Sequence, residues 1–283
     1  MTVIQMPRLE DTFSGAQGLS LFYQAWYPPG TAKAVIALVH GFGEHCDRYR
    51  TVTSALTQAG YVVFGFDNQG HGRSEGQRGH INRWQDYRDN VSAFLAQVRR
   101  YEPSLPLFVL GHSLGGLIVL DYALNSPDGL SGIIISGPPI RPVGIAKPYL
   151  VAIARVLSGV WPRFSMDVGA GADSLSRDPA VVQQIQNDPL KHSMATVRWG
   201  TECLVAIAHV RRHIDQLKVP VLLVHGSADK VNDVKGSEEI FARIATDKTL
   251  KIYPGSYHEP HNDLDRNKVM QDVVQWLGNH LGR

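Results

Sequence analysis

Gly111-His112-Ser113-Leu114-Gly115 decides how the rest of this 283-residue chain is read. The five residues spell G-x-S-x-G. Leu107-Phe108-Val109-Leu110, an apolar run of strand character, precedes them after Pro106. Gly116 to Leu124 follows with apolar residues at helical spacing. A strand, a sharp turn and a helix are predicted, with Ser113 at the apex, which is the setting of a nucleophile elbow. A serine hydroxyl is a weak nucleophile and has to stand where a base can reach it. Gly111 and Gly115 leave out side chains where backbones crowd. The helix start also aims N–H groups at any oxyanion formed beside the serine. In a chain with 27 glycines the bare pattern is weak, and the flanking elements carry the reading.

Outward from the elbow, buried strands alternate with helices. Ala34 to Val39, Tyr61 to Phe66, Gly132 to Ser136 and Val219 to His225 are apolar runs of the kind a parallel strand shows when both faces are covered, and Thr249 to Tyr253 reads as the last strand. Helices are predicted over 49–59, 84–101, 236–244 and 266–281, with Gly60 as the C′ residue of the first. Leu19 to Tyr27 reads as an antiparallel edge strand. From about Pro138 to His213 the alternation stops and the pattern becomes helical and proline-rich. The fold class is α/β, a mostly parallel central sheet with helices on both faces. Residues 1–137 and 214–283 form its core, and residues 138–213 form a helical cap insertion. Ligands bind at the C-terminal ends of strands in such sheets, and the insertion leaves from that edge.

Composition excludes several classes. The formal net charge is +2 and no Lys/Arg-rich run occurs, so no nucleic-acid partner is expected. Cys46 and Cys203 make no disulfide framework. Met1 to Arg8 lacks the pattern of a signal peptide, and the most apolar stretch, Pro148 to Pro162, is too short to span a membrane. The expected location is cytoplasmic.

A serine nucleophile needs a base and the base an orienting acid, in the chain order Ser, Asp, His. Asp229 in Gly226-Ser227-Ala228-Asp229 follows a buried strand and His258 in Gly255-Ser256-Tyr257-His258 follows the last strand, and so both share a sheet edge with Ser113. Asp233 reads as a helix N-cap. His261 competes with His258 but is less tightly tied to the strand end. His225, His40, His71 and His112 read as structural. Among 12 histidines, His258-Glu259-Pro260-His261 is not H-E-x-x-H, and no other cluster has ligand spacing, so neither metal nor other cofactor is expected. The oxyanion donors are predicted to be the backbone N–H groups of Leu114 and of Phe42 in His40-Gly41-Phe42-Gly43.

These residues resemble those of the monoacylglycerol lipases, serine hydrolases of the α/β-hydrolase fold. The resemblance rests on His40-Gly41-Phe42-Gly43-Glu44-His45 with Arg48-Tyr49, on Asp67 to Gly76, on Gly111 to Gly116, and on Leu250 to Glu259. Ser176-Arg177-Asp178-Pro179 and Asn187-Asp188-Pro189-Leu190 are similar as well. The resemblance implies a monoacylglycerol or similar lipid ester as substrate. It implies that Glu44, Arg48 and His261 shape the glycerol side of the pocket. It also implies an apolar cap that meets a membrane or micelle surface and admits the acyl chain. Ile145 to Trp161, with only Lys147 and Arg155 charged, fits either an interfacial segment or the packed interior of the cap. Leu114 stands where many members have Met, and Phe42 is bulkier than the usual small residue and is expected to narrow the acyl tunnel. Cys46 falls near the glycerol end and is expected to be buried and inert. Lysophospholipase or general carboxylesterase activity on the same residues stays open. A non-catalytic ligand-binding protein of this fold is disfavoured by the intact Ser, Asp and His.

Overall fold

A computed structural model describes residues 8–144 and 148–282. The residues read for a signal peptide at 1–7, and Ile145 and Lys147 of the apolar stretch, lie outside the described residues. The strands are β1 Arg8–Ser14, β2 Ser20–Trp26, β3 Ala34–Val39, β4 Tyr61–Phe66, β5 Leu107–His112, β6 Gly132–Ser136, β7 Ser165–Asp167, β8 Met194–Thr196, β9 Val221–Gly226 and β10 Lys248–Tyr253. The α-helices are α1 Arg50–Gln58, α2 Gln85–Tyr101, α3 Leu114–Asn125, α4 Pro148–Val160, α5 Pro179–Gln186, α6 Val197–His213, α7 Lys235–Arg243 and α8 Arg266–Asn279.

Eight strands form the central sheet in the order β1-β2-β4-β3-β5-β6-β9-β10. β1, β2 and β4 pair antiparallel, and the pairings from β4 through β3, β5, β6 and β9 to β10 are parallel. All six residues of β3 are buried because both sheet faces are covered. Val35, Ala37 and Val39 pack with α2 and α3, while Ala34, Ile36 and Leu38 pack with α1 and α8.

Three expectations need correction. The 20–26 strand is antiparallel but is not the edge, because β1 pairs along its length from Arg8↔Trp26 to Ser14↔Ser20. β1 gave no apolar run to detect: Glu10, Asp11 and Thr12 face solvent and only Phe13 is buried. The insertion is not purely helical, since β7 and β8 pair within it. The helix expected from Tyr49 begins instead as a 3-10 turn, Cys46–Tyr49, before α1. Gly60 does close α1, with φ +91° and its N–H donated to the Thr57 carbonyl at 3.0 Å.

Candidate active site

β5 lies between β3 and β6 in the sheet, and its last residue, His112, hands the chain to Ser113. Ser113 has φ 51° and ψ −118°, a conformation costly for an L-residue. The surroundings hold it there. Its N–H donates to the Ser136 carbonyl at 2.8 Å, and α3 begins at the next residue. A Cβ on Gly115 would strike the Val39 carbonyl oxygen, so only glycine lets α3 start this close to β3.

β9 and β10 end on the same sheet edge and deliver the other two groups. The Ser113 hydroxyl lies 3.0 Å from His258 Nε2, and His258 Nδ1 lies 2.8 Å from Asp229 Oδ2. Asp229 Oδ1 accepts the N–H groups of Val231 and Asn232 at 2.8 and 2.9 Å. A carboxylate only accepts, so Nδ1 of His258 carries the proton and Nε2 presents a lone pair to the serine. Burial opposes ionisation of Asp229, but His258, the His225 hydrogen bond and the backbone donors hold it well below the usual carboxylate range. Burial likewise opposes protonation of His258, yet the Asp229 charge and hydrogen bond raise its pKa above that of an ordinary imidazole. An imidazole so held can take the serine proton and keep the resulting charge paired.

The loop after β3 supplies the facing wall. Gly41 donates its N–H to Glu44 Oε1 at 2.6 Å, which braces the turn carrying Phe42. Leu114 opens α3, where the first N–H groups have no carbonyl partner within the helix. Phe42 and Leu114 both line the cavity at Ser113. The Phe42 ring packs against Trp199 of α6 at 4.4 Å and edge-on to His192 at 5.4 Å.

That cavity measures about 480 Å³. Its lining includes Leu150, Val151, Leu175, Trp199, Leu204 and Ile207, all contributed by the insertion. It also includes the charged side chains of Glu44, Arg48 and Glu259, which the hydrogen bonds of Arg48 hold together in one cluster. Tyr49 donates its hydroxyl to Glu44 Oε1 at 2.6 Å, and Arg48 reaches Glu44 Oε2 at 3.0 Å. His261 sits a layer behind these groups: it stacks on Tyr49 at 5.1 Å and meets His112 edge-on at 4.8 Å. Cys46 is buried, accepts from Gln24 Nε2 at 3.1 Å, and has its thiol pKa pushed up by burial.

Three residues at the site were not assigned a role from the sequence. His225, read as structural, points Nε2 at Asp229 Oδ2 at 3.0 Å while Nδ1 faces the Ser237 hydroxyl at 2.7 Å. Its signal was its place in β9, four residues before Asp229. Asn232 ties its amide to the Gly137 carbonyl at 2.8 Å. Glu259, the last residue of the Leu250 to Glu259 stretch, pairs with Arg48 across 211 residues of sequence. Asp233 accepts the Lys235 N–H at 3.0 Å, but the N-cap residue of α7 is Val234, one position on.

The family model described as serine aminopeptidase, S33 matches residues 30–265. A monoacylglycerol lipase of Mycolicibacterium smegmatis is 34% identical over 281 residues, 99% of this chain and all of the relative. Phospholipase YtpA of Bacillus subtilis is 31% identical over 241 residues, covering 84% of this chain and 92% of that protein. Among solved structures, a soluble variant of Saccharomyces cerevisiae monoglyceride lipase in complex with a substrate analogue superposes with a TM-score of 0.87 at 27% identity, over 98% of this chain and 96% of that one. The sheet order, the elbow and these full-length likenesses agree: the chain belongs to the monoacylglycerol lipase family of α/β-hydrolases.

Proposed function

We propose that this protein hydrolyses monoacylglycerols to glycerol and a free fatty acid through Ser113, His258 and Asp229. The observation that carries the reading is a single cavity whose lining joins Ser113 and His258 to apolar side chains of the insertion and to the charged side chains of Glu44, Arg48 and Glu259. The acyl chain lies against the insertion, and the glycerol hydroxyls face Glu44 and Arg48. His261 acts on that end through Tyr49. Ser113 Oγ attacks the ester carbonyl as His258 Nε2 takes its proton, and Asp229 keeps the imidazole in the productive tautomer. The backbone N–H groups of Phe42 and Leu114 hold the oxyanion, each worth about 3 kcal/mol of barrier. His258 returns the proton to the leaving glycerol oxygen. It then activates a water that cleaves the acyl-enzyme and frees the fatty acid.

Residues 138–213 act as a cap over this cavity. Among the described residues no helix is long and apolar enough to cross a membrane. The outer face of α4 instead supports surface contact: Tyr149, Ile153, Val156 and Val160, with Trp161 after it, are all exposed. A short helix with an apolar outer face and an aromatic end suits the headgroup boundary of a bilayer or micelle, which gives a peripheral, cytoplasmic-side enzyme access to its lipid.

A lysophospholipase is the second reading, favoured by the likeness to Phospholipase YtpA. Fatty-acid release from 1-monooleoylglycerol, 1-oleoyl-lysophosphatidylcholine and p-nitrophenyl butyrate, with Ser113→Ala alongside, tests both. Preference for the monoacylglycerol, abolished in the variant, is the expected result. Preference for the lysophospholipid installs the second reading, and turnover of the butyrate alone reduces the protein to a carboxylesterase.

A further inference from the structure

The polar end of the cavity holds more negative than positive charge. The side chains of Glu44, Arg48 and Glu259 are 4%, 9% and 2% exposed. Arg48 gives Nη1 to Glu44 Oε2 at 3.0 Å and Nη2 to both oxygens of Glu259 at 3.1 and 3.0 Å. Asn262 adds its amide to Glu259 Oε2 at 2.9 Å. Two buried carboxylates therefore share one guanidinium. Burial opposes ionisation of Glu44, but Arg48 and the Tyr49 and Gly41 donors keep its pKa below the usual value, so it stays charged.

Among the described residues, Arg48 is the one cation that pairs with Glu44 or Glu259. Lys191 also lines the cavity, and its charge helps to lower the pKa of Asp167 in β7. Burial holds His112, His192 and His261 below the ordinary imidazole value, and the His258 charge belongs to Asp229. A polar groove lies beyond Arg48, and its basic groups are matched as well. His45 pairs with Asp188 at 2.8 Å, Arg50 with Asp47 at 3.3 Å and Arg266 with Asp178 at 2.7 Å. Glu259 is also fixed in place, because it directly follows His258 and its N–H donates to the Leu175 carbonyl at 2.9 Å.

We propose that Glu259, paired with Arg48 beside Glu44, is a specificity-determining residue that admits esters of uncharged alcohols and rejects esters whose alcohol carries a phosphate or other anion. The inference rests on the reading above that the leaving alcohol occupies this end. Hydroxyl groups of a neutral alcohol donate to carboxylate oxygens. A phosphate dianion only accepts, and meets like charge beside two buried carboxylates. The discrimination is by repulsion, so it acts on anionic head groups whatever the acyl chain.

The test compares two matched pairs. One is 1-monooleoylglycerol against 1-oleoyl-glycerol 3-phosphate in the same mixed micelles. The other is p-nitrophenyl butyrate against the butyrate ester of 4-hydroxybenzenesulfonate. The wild-type protein is expected to favour the neutral member of each pair in kcat/KM by about 100-fold, the scale of like-charge repulsion in a desolvated site. Discrimination in the oleoyl pair should grow as pH rises through about 6, where the phosphate gains its second charge. Glu259→Gln, which keeps size and hydrogen bonding, should narrow both ratios roughly tenfold. Equal turnover of neutral and anionic members by the wild type overturns the proposal, as does an unchanged ratio in a folded Glu259→Gln protein. Should that variant not fold, the wild-type ratios and their pH dependence decide alone. Turnover of the butyrates without either oleoyl ester would refute the monoacylglycerol reading, and the butyrate pair would then decide the charge selection separately.

Discussion

Arg177 in the insertion and Asp263 in the core form an ion pair, Nε to Oδ2 at 2.9 Å, whose carboxylate also accepts the Tyr257 N–H at 2.7 Å and the Ser256 hydroxyl at 3.1 Å. Asp263 is fully buried and Arg177 about a quarter exposed. The Arg177 N–H adds a further bond to Asp263 Oδ1 at 3.0 Å. The foot of the insertion is thereby bonded to the turn that leads into His258. Arg177→Ala leaves a buried carboxylate without its counter-charge. The expected loss is about 2 kcal/mol, less than for a fully buried pair because Arg177 reaches solvent. A loosened His258 turn should lower kcat by roughly tenfold or more with KM nearly unchanged. Chemical denaturation and steady-state kinetics check both, and a variant with wild-type kcat would show that the pair does not position His258.

The pH profile follows from the raised pKa of His258. The base must be neutral, so kcat/KM should fall as pH drops, with a midpoint above 6.5, the ordinary imidazole value. The stability linkage has the opposite sign. A raised native pKa contributes stability in full below the unfolded-state value, and that contribution disappears as pH rises through the native one. Activity should therefore climb over the window in which this stabilisation fades. A midpoint below 6.5 in kcat/KM with a soluble ester would contradict the ion-pair account.

Asp229 and His225 can be separated by mutation. Asp229→Asn should lower kcat by about 10⁴, because the amide favours the wrong tautomer of His258. His225→Gln removes one of several donors to Asp229, at 3.0 Å, and should cost about tenfold. Equal losses from the two variants would mean that His225 does more than donate to the carboxylate.

Gly115→Ala is expected to destabilise the protein by about 3 kcal/mol, although alanine is the better helix former by about 1 kcal/mol. The new Cβ would meet the carbonyl oxygens of Val39 and His40, which belong to backbone and cannot swing aside. A thermal unfolding midpoint equal to wild type would show that α3 can shift at its start.

The outer face of α4 gives a prediction in which binding and chemistry come apart. Ile153→Asp with Val156→Asp replaces side chains that are 58% and 70% exposed and line no part of the cavity. Stability should change by less than about 0.5 kcal/mol each. Sedimentation with phospholipid vesicles should weaken roughly tenfold while hydrolysis of p-nitrophenyl butyrate stays level. Unchanged vesicle binding would discard α4 as the contact surface.

The sequence by itself determined the strand–helix alternation, the elbow, and the position of Ser113, Asp229 and His258 each just past the end of a strand. These are local signals: an apolar run, a glycine turn, and a chain order. It could not determine β1, whose exposed polar residues gain meaning only when paired to β2. It left the Ile145 to Trp161 stretch between interior and interface, and the tertiary structure exposes six of its large apolar side chains from Tyr149 to Trp161. Above all it could not reach the charge arithmetic of the polar end. Arg48 lies four residues from Glu44 but 211 from Glu259. Periodicity and turn chemistry act over a few residues, whereas a buried guanidinium takes its partners from whatever the closed fold brings within 3 Å.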